Sequence, residues 1–554
     1  MKRCAFFFDV RGFLVSCEKR RTSRRVSPGR PARGQGRDPA GEHALAAASR
    51  PRQAGQGRPA GTGWRKQARR NGPAETGTAP PRSAIGATTR QARDDPIRNS
   101  ALPAAGSRPG AGPDGRALRH RRFRRHRAAC AAGRADLASR GLEDGARRTL
   151  RLFSTWEITR YLIPVAAGHF RRVLKANPDL PQGRSQTEGG AKWFTLDEVL
   201  RLRAHFGAEG ARSKSYLPYR PKGLPAKIVA VANFKGGVGK TSTAAHLAMS
   251  AALDGYRVLV VDLDSQGSLT SLFGGRVADE WQTVFPLLAR HYGRHLQAEN
   301  RRRMDRGETP VPLDETLDAA LSVTAPGLIQ TTHWPNIDLI GAQLNLYWAE
   351  FQVPVWRMQG RGWKLWDALT DTLAEDGVLE EYDIVFVDTP PALGYLTING
   401  LAAADILLVP LGASFLEFDS TGRFFDMLHA TFGSIEEAEG VTARALGRPG
   451  LAFEWDAVRA LVTRYDAAQH AELAALMQSY LGSVLAPQRQ DLTALIGQAG
   501  EQVQGLYEAD YRDFNRETYA RGRETFDATW AGVKSLIWGA WRRDEAAQAQ
   551  GAAE

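Results

Sequence analysis

The sequence predicts an α/β protein with a doubly wound, mostly parallel sheet, preceded by a winged helix-turn-helix and a disordered N-terminal segment. The first observation behind this prediction is a series of short apolar segments separated by longer helix-compatible stretches, namely "KIVAVAN", "RVLVVDLD", "NIDLIGA", "YDIVFVDTPP", "ADILLVPLG" and "VRALVTRYD". Apolar strands that alternate with helices are typical of a parallel sheet covered on both faces. The other two observations are a glycine-rich loop between a strand and a helix, and a change of composition near residue 150.

Residues 1–150 differ in composition from the rest of the chain. They hold 34 Lys and Arg against 11 Asp and Glu, whereas the remaining residues hold 40 against 49. After its first fifteen residues the segment has no sustained apolar period, so we expect it to be disordered. It is either a basic arm for nucleic acid, as the run "RHRRFRRHR" indicates, or a gene-model artefact that the working protein does not use.

Cysteine usage and hydropathy exclude several classes of protein. All three cysteines lie in the first 150 residues, so the rest of the chain carries no disulfide framework and no iron–sulfur cluster of its own. No run of eighteen apolar residues is present, which predicts a cytoplasmic protein without a membrane span. The segment "VKSLIWGAWRR", Val533 to Arg543, is the candidate for a membrane-surface helix, and a packed terminal helix is the favoured interpretation.

Residues 151–210 have the pattern of a winged helix-turn-helix. A capping box of Ser154 and Glu157 predicts the start of a first helix, and "HFRRVLKAN" predicts a basic second helix. A Gly-rich turn, a short extended piece and a third helix capped by Thr195 follow. The alternative is a small helical subdomain whose arginines are merely solvated. The proline-containing residues 211–226 are predicted to be a linker.

The segment "KIVAVANFKGGVGKTSTAAHLAMS" predicts a strand, a phosphate-binding loop and a helix. The backbone N–H groups of its glycines and the N-terminus of the helix would surround phosphate oxygens. Lys240 would reach the β and γ phosphates, the Thr241 hydroxyl would bind magnesium, and Ser242 would meet the α phosphate. The alternative is an ordinary connection between a strand and a helix. The predicted phosphate-binding residues are Lys235, Gly236, Gly237, Val238, Gly239, Lys240, Thr241 and Ser242.

One position of this loop departs from the standard G-x-x-x-x-G-K-[ST] pattern. Phe234 stands where the first glycine is expected, and Lys235 follows it. The resulting K-G-G-x-G-K-[ST] loop resembles the deviant Walker A motif of the ParA/MinD ATPases, which are P-loop NTPases. The resemblance implies ATP and Mg²⁺ as cofactors and an ATP-dependent homodimer. It also implies that Lys235 reaches across the dimer to the partner's nucleotide and stabilises charge on the transferred phosphoryl group.

Three carboxylates stand at the ends of predicted strands. Asp262 and Asp264 belong to "VDLDSQG", in which Ser265 replaces the proline of the family's D-x-D-P-Q-G form, and Asp388 belongs to "VFVDTPP". By resemblance, Asp388 is the Walker B carboxylate that holds magnesium, Asp264 orients the attacking water, and Asp262 lies nearer the magnesium shell. The alternative for an aspartate at a strand end is a helix cap.

Two further segments resemble the larger plasmid-partition ATPases of RepA/ParA type. "LVTRYDAAQHAELAALMQSYLG" is similar to a segment that lies near the adenine in that family, which places Thr463, Arg464 and Tyr465 by the base. "FSTWEITRYLIPVAAGHFRRVLKANPDLP" with "GAKWFTLDEVLRLR" resembles the MerR-like helix-turn-helix found ahead of some members. DNA contacts are assigned by position to His169, Arg171, Arg172 and Lys192.

The resemblance implies a cycle as well as a fold. The ATPase domain would span residues 227–545, followed by a tail at 546–554. Slow hydrolysis would be stimulated by a ParB-type centromere-binding partner, and the protein would bind nonspecific DNA, with Arg423 and Arg464 as candidate contacts, and operator DNA. It would be cytoplasmic and nucleoid-associated, without stable membrane association. The alternatives are a nucleotide-switched transcription regulator without significant turnover and a MinD-like positioning ATPase.

Overall fold

The computed structural model describes residues 148–185, 190–208, 216, 220–360, 362–445, 447, 450–493, 495–497 and 503–551. The segment predicted to be disordered lies outside these residues except for its last three positions. Half of the predicted linker, residues 211–215 and 217–219, also lies outside them. The described part of that linker is held against the domain, because Leu224 and Ala226 are buried and Ala226 N donates to Leu379 O at 2.7 Å.

The N-terminal part of the described chain combines short helices with a small antiparallel sheet. Its elements are β1 (Phe153–Ser154), α1 (Thr155–Glu157), a π-helical turn (Ile158–Leu162), α2 (Ala167–Ala176), β2 (Arg184–Ser185), β3 (Lys192–Phe194) and α3 (Leu196–Ala208). β1 and β2 each pair with β3. The predicted capping box forms at Ser154 and Glu157, and Thr195 and Glu198 form a second one. The elements follow the predicted order, and their assignment as a winged helix-turn-helix stays a prediction.

A larger sheet forms the centre of the molecule. Its strands are β4 (Lys227–Val231), β5 (Val258–Asp262), β6 (Gln330–Thr331), β7 (Ile337–Ile340), β8 (Ile384–Asp388), β9 (Ile406–Gly412), β10 (Ala457–Tyr465) and β11 (Leu485–Asp491). Among the described residues the order is β11-β10-β9-β4-β8-β5-β7-β6, and only β6 is antiparallel to its neighbour. The predicted mostly parallel α/β sheet is confirmed.

Helices cover both faces of this sheet. They are α4 (Lys240–Asp254), α5 (Ser268–Leu272), α6 (Phe285–Asp305), α7 (Glu315–Ala320), α8 (Ala325–Leu328), α9 (Ala349–Gln359), α10 (Ala368–Glu375), α11 (Val378–Glu381), α12 (Tyr395–Ala402), α13 (Phe415–Ala445), α14 (Ala467–Leu481) and α15 (Arg516–Gly551). Successive residues of β4 point to opposite faces: Val229 joins the cluster that contains Leu247 of α4, and Ala230 joins the cluster that contains Leu288 of α6. Both faces of the strand are therefore buried, as a doubly wound sheet requires.

An ion pair between a buried arginine and a partly exposed aspartate ties the N-terminal part to the helix after the glycine loop. Arg203 Nη2 on α3 donates to Asp254 Oδ1 at 3.1 Å, and Asp254 is the last residue of α4. Trp530 Nε1 and Lys534 Nζ of α15 each donate to Asp254 Oδ2 at 2.8 Å. Apolar side chains of α2 and α3 also share one cluster with the sheet, including Val199. The predicted boundary near residue 210 thus separates two parts that share a core.

The C-terminal region differs from the prediction in two ways. β11 is an additional edge strand parallel to β10, which its polar sequence and Pro487 concealed. Helix α15 continues to Gly551, so the described part of the predicted tail is helical, because "DEAAQAQ" contains no residue that stops a helix. Asp544 of this helix lies 2.8 Å from Lys227 Nζ, which also contacts Asp405 at 2.8 Å and Asp456 at 3.2 Å.

The segment considered as a membrane-surface helix is packed inside the protein. Val533, Ile537 and Trp541 are buried in the same cluster as the apolar residues of α4. This confirms the interpretation as a packed terminal helix. No helix within the described ranges has an apolar stretch long enough to cross a bilayer.

Candidate nucleotide site

The glycine loop lies at the carboxyl edge of the sheet, between β4 and α4. Gly237 and Gly239 have φ angles of 74° and 88°, a left-handed backbone that favours glycine. Gly239 is the N-cap of α4. The first N–H groups of a helix have no partner within it, and the helix dipole places positive potential there. The loop and the first turn of α4 therefore have the geometry of an anion-binding cradle, and its predicted phosphate contacts stay a prediction.

The two lysines of the loop have different surroundings. Lys240 is buried, and its Nζ donates to Lys235 O at 3.2 Å, so it folds back over the loop. Burial lowers the pKa of Lys240, and the carboxylates of Asp388 and Asp264 oppose that shift. The Lys235 side chain is about one third exposed, and its Nζ lies 3.6 Å from Glu417 Oε1. Lys240 is thus committed to the loop, whereas Lys235 lies at its open side.

Asp388 is the carboxylate whose surroundings best fit a metal ligand. It ends β8 directly beside Asp262 of β5 and opposite Val231 of β4. The side chain is fully buried, yet neither oxygen makes a hydrogen bond of normal geometry with any residue in the described ranges. Burial and repulsion from Asp262 raise the pKa of Asp388, and the nearby Thr241 hydroxyl partly opposes the shift. A buried acceptor in this condition needs a cation or a donor.

Asp262 is held in a different way. Its Oδ2 accepts hydrogen bonds from Thr270 N at 2.9 Å and Thr270 Oγ1 at 2.8 Å, and its Oδ1 accepts one from Asp264 N at 3.0 Å. Burial raises the pKa of Asp262 to about 6, and the bonds from Thr270 oppose that shift. Asp264 is partly exposed, and its Oδ1 accepts a hydrogen bond from Gln266 N at 3.0 Å. Asp262 therefore shapes the loop that carries Asp264, while Asp388 keeps its oxygens available.

Glu417, near the start of α13, is a site residue that sequence reasoning missed. Its Oε1 lies 2.6 Å from Arg464 Nη2 as well as 3.6 Å from Lys235 Nζ. Its Oε2 is buried without a hydrogen-bond partner in the described part of the chain. Gly412 lies against this carboxylate, and a Cβ atom there would collide with Glu417 Oε2. One acidic group thus pairs with two cations that the sequence assigned to nucleotide binding.

The predicted adenine segment lies at the end of β10. Thr463 Oγ1 donates to Val238 O of the glycine loop at 2.8 Å, which brings this segment to the site. Arg464 has a left-handed backbone with φ of 52° and directs its guanidinium to Glu417. Tyr465 lines a cavity of about 320 Å³, and the Arg489 guanidinium lies 4.7 Å from its ring centroid. The structure therefore brings Thr463 and Arg464 to the loop and places Tyr465 at an adjoining cavity.

The residues of the N-terminal part that were assigned to DNA contacts lie on α2 and β3. His169, Arg171 and Arg172 are exposed on α2, and Lys192 is exposed at the start of β3. The opposite side of α2 is buried through Phe170, Val173 and Leu174. Arg423 is exposed on α13 and pairs with Asp419 at 2.9 Å. The exposed charges of α2 are consistent with a contact surface, and their role stays a prediction.

The donors around Asp388 fit a magnesium ion bound together with a nucleotide. Mg²⁺ takes oxygen ligands and in phosphate sites uses one or two protein groups, with phosphate and water for the rest. The Thr241 hydroxyl and the Asp388 carboxylate supply such groups next to the cradle. No cluster of three His, Cys, Asp or Glu side chains able to hold a metal alone occurs in the described residues. A metal would therefore depend on the phosphates that the loop binds.

Comparisons with known proteins give consistent similarities. The AAA_31 family, described as an AAA domain, matches residues 226–432. A "Putative replication protein A" of Sinorhizobium fredii (strain NBRC 101917 / NGR234) is 30% identical over 405 residues, which cover 72% of this chain and 89% of that protein. Chromosome partitioning protein ParA of Caulobacter vibrioides (strain NA1000 / CB15N) is 31% identical over 220 residues, or 39% of this chain and 68% of that protein. A solved partition protein is 18% identical, covers 74% of this chain and 97% of its own, and has a TM-score of 0.46.

Proposed function

Because this chain belongs to the family of ParA/MinD-type partition ATPases, we propose that it segregates a plasmid or a secondary replicon by ATP-dependent dimerisation on DNA. The observation that carries the proposal is the pair of lysines at the glycine loop. Lys240 is buried in the loop, and Lys235 lies at its open side with its Nζ 3.6 Å from a carboxylate. A cation such as Lys235 at the open side of the loop fits a role in contacting the phosphates of a nucleotide that another subunit holds.

The residues of the cradle have separate roles in nucleotide binding. Backbone N–H groups from Gly236 to Gly239 would hold the β and γ phosphates, and Lys240 Nζ would exchange Lys235 O for a phosphate oxygen. Ser242 would meet the α phosphate. Thr241 and Asp388 would hold Mg²⁺, which when bound neutralises phosphate charge.

Hydrolysis requires a positioned water and stabilisation of the charge that develops on the transferred phosphoryl group. Asp264 would orient the water, since its loop is fixed by the bonds of Asp262 to Thr270. Lys235 would leave Glu417 and reach the phosphates bound by the partner subunit. A cation supplied to the transferred phosphoryl group by a partner is typically worth about 10³–10⁵ in rate. The dimer would therefore be the active form, and the monomer would turn over slowly.

The DNA-bound cycle follows from the same dimer. We propose that the ATP-bound dimer binds nonspecific DNA and that a ParB-type partner at the centromere stimulates hydrolysis and releases it. The exposed basic residues of α2 would bind operator DNA and so repress the operon. Replacing Arg171 and Arg172 by Ala should weaken operator binding. It should also reduce the steepness with which the logarithm of the binding constant falls with the logarithm of the salt concentration by about 1–2, because each phosphate contact contributes about 0.9 to that slope. Arg201→Ala, at an exposed position of α3, is the matched control.

The experiment that tests the function is ATP hydrolysis by the full chain with and without nonspecific DNA. We expect slow turnover that DNA raises, loss of ATP binding in Lys240→Ala, and normal ATP binding but no DNA response in Lys235→Ala. Lys222→Ala, an exposed lysine outside the loop, should behave like the wild type. If ATP binds but is never hydrolysed and Lys235→Ala is silent, the protein is instead a nucleotide-switched DNA-binding regulator.

A further inference from the structure

A row of exposed apolar side chains runs along α9 and the 3-10 turn before it. The row consists of Leu344, Trp348, Phe351, Val355 and Met358, and we call it the α9 seam. Its exposed fractions run from 43% for Val355 to 84% for Met358. The residues are spaced alternately four and three apart, which is the spacing that helices use to pack along one another. Tyr347, 56% exposed, lies beside the seam.

The seam is a second apolar face on a helix that already has one. Leu346, Ala349, Val353 and Trp356 on the other side are at most 1% exposed and belong to the core. A helix that is apolar on more than one face is normally buried on more than one face. The seam is thus an apolar surface that the described part of this chain leaves uncovered.

The seam begins at the edge of the sheet that carries the nucleotide loop. It follows the carboxyl end of β7, and the carbonyl of Ala342 lies against Gly267 of the Asp264 loop. Glu350, on α9, accepts hydrogen bonds from Tyr395 N at 2.8 Å and Leu396 N at 3.0 Å, at the start of the helix that follows Asp388. The seam is therefore fixed to both acidic loops of the site.

A second apolar pair lies on the opposite flank of the same edge. Phe415 and Leu416 begin α13, directly after β9, and are 67% and 78% exposed. In the sheet order, β9 lies on one side of β4, and β7 lies on the other side, beyond β8 and β5. The glycine loop after β4 thus has exposed apolar side chains on both flanks, and Leu416 is adjacent to Glu417, the residue that pairs with Lys235.

We propose that the α9 seam docks on Phe415 and Leu416 of a second copy of this chain. The proposal rests on the proposed nucleotide-dependent dimer and names the surfaces that hold it. A two-fold axis that lies in the interface and runs perpendicular to the line joining the two flanks brings one flank of a subunit over the other flank of its partner. When the nucleotide loops face each other, the seam of each subunit therefore meets the start of α13 of the other.

The area of the seam suits this occupant. An aromatic side chain carries about 150–250 Å², and with values at the low end of that range for Leu, Val and Met the exposed fractions of the seam and Tyr347 correspond to an area on the order of 600 Å². That is at the upper end of apolar patches on ordinary monomers, and a stable interface needs about 800 Å² per partner. The pair on α13 supplies most of the remainder. The two flanks together therefore reach the size that a specific dimer requires.

The test is a charge exchange between the two surfaces in the full chain. Phe351→Glu and Leu416→Lys are made singly and together, and dimerisation is measured by analytical ultracentrifugation with and without a nonhydrolysable ATP analogue and Mg²⁺. We expect each single variant to dimerise at least about 30-fold more weakly, because it places a charge in the centre of an apolar contact. The double variant should recover about 5–10-fold, because opposite charges then face each other. Met304→Glu, an equally exposed apolar residue on α6, is the control and should not change the dimer.

Binding of a fluorescent ATP analogue is measured for every variant, so that misfolding is recognised. If Phe351→Glu dimerises like the wild type, or if the double variant is no better than the singles predict, the inference is wrong. It is also wrong if Phe351→Glu leaves the dimer intact and loses only the response to a ParB-type partner, since the seam would then bind that partner. A wild-type chain that stays monomeric under both conditions overturns the inference as well.

The same data separate the inference from the proposed function. A dimer that forms without nucleotide, and that the double variant recovers relative to the single variants, supports the α9 seam as its interface and contradicts ATP-dependent assembly. A dimer that forms only with the ATP analogue, and whose stability Phe351→Glu does not change, supports the proposed function and contradicts the inference that the α9 seam holds the dimer.

Discussion

Replacing Arg203 by Met should destabilise the fold where the N-terminal part meets the ATPase domain. The Arg203 side chain is 6% exposed, and its guanidinium donates to Leu162 O, to Asp254 O at 3.3 Å and to Asp254 Oδ1 at 3.1 Å. Removing one partner of a buried ion pair typically costs about 3–5 kcal/mol. Asp254 keeps Lys534 and Trp530 as donors, so we expect about 2–3 kcal/mol.

The pH dependence provides a second readout for the same change. Burial alone would raise the pKa of Asp254, but Arg203 and Lys534 outweigh it and the pKa is lowered. A carboxyl whose folded pKa lies below its unfolded value of about 3.9 contributes stability above that pH. The contribution is lost as the pH falls through the folded pKa. Arg203→Met should therefore reduce the difference in stability between neutral and strongly acidic conditions.

Urea unfolding followed by tryptophan fluorescence measures both effects in the full chain. The control is Lys534→Met, whose side chain is 34% exposed, and it should cost no more than about 1 kcal/mol. The double variant of Arg203→Met with Asp254→Asn should be less destabilised than the two single losses added together. A loss below about 0.5 kcal/mol for Arg203→Met, or strict additivity in the double variant, would refute the reasoning.

Three further changes have defined outcomes. Burial raises the pKa of Asp367 to about 6, so the ionised carboxylate destabilises the fold above that pH. Asp367→Asn should therefore stabilise the fold by about 1–2 kcal/mol above pH 6, after allowance for solvent screening. Urea midpoints measured from pH 4 to pH 8 should show that this gain vanishes toward pH 4. Gly412→Ala should displace the Glu417 carboxylate from Lys235, because a Cβ atom at position 412 would collide with it. Acylation of Lys235, read by peptide mass spectrometry, should then increase several-fold. Gly433→Ala is the control, because a Cβ atom there meets no atom within 4 Å. Lys227→Met should cost about 3 kcal/mol or more, measured by thermal unfolding, because it leaves three carboxylates without their shared cation.

The parts of the site that could be predicted from sequence are those in which a local pattern determines the geometry. A buried strand, a glycine loop and a helix follow one another within residues 227–254, so their order alone places Lys240 in a cradle. Asp262 and Asp388 end apolar strands that are neighbours in the sheet, and the carboxyl ends of parallel strands lie at one edge. These predictions required no knowledge of contacts distant in sequence.

The parts that could not be predicted depend on contacts distant in sequence. Glu417 pairs with Lys235, 182 positions away, only because Gly412 leaves room for its carboxylate. Asp262 was expected near the metal, and its bonds to Thr270 could not be anticipated because an aspartate at a strand end has several possible partners. The edge strand β11 lacks an apolar run, since most of its side chains are at least partly exposed.

The position of Glu417 affects the free energy with which Lys235 and Arg464 would bind a phosphate. Its one carboxylate serves as counter-ion to both Lys235 and Arg464. A phosphate that reaches these cations replaces an anion that is already present, so binding at this point is an exchange of ligands. The net gain is the difference between two ion pairs and is smaller than the full attraction of either. Glu417 thus balances the charge of these two cations, so a ligand that makes several simultaneous contacts gains more here than a small free anion does.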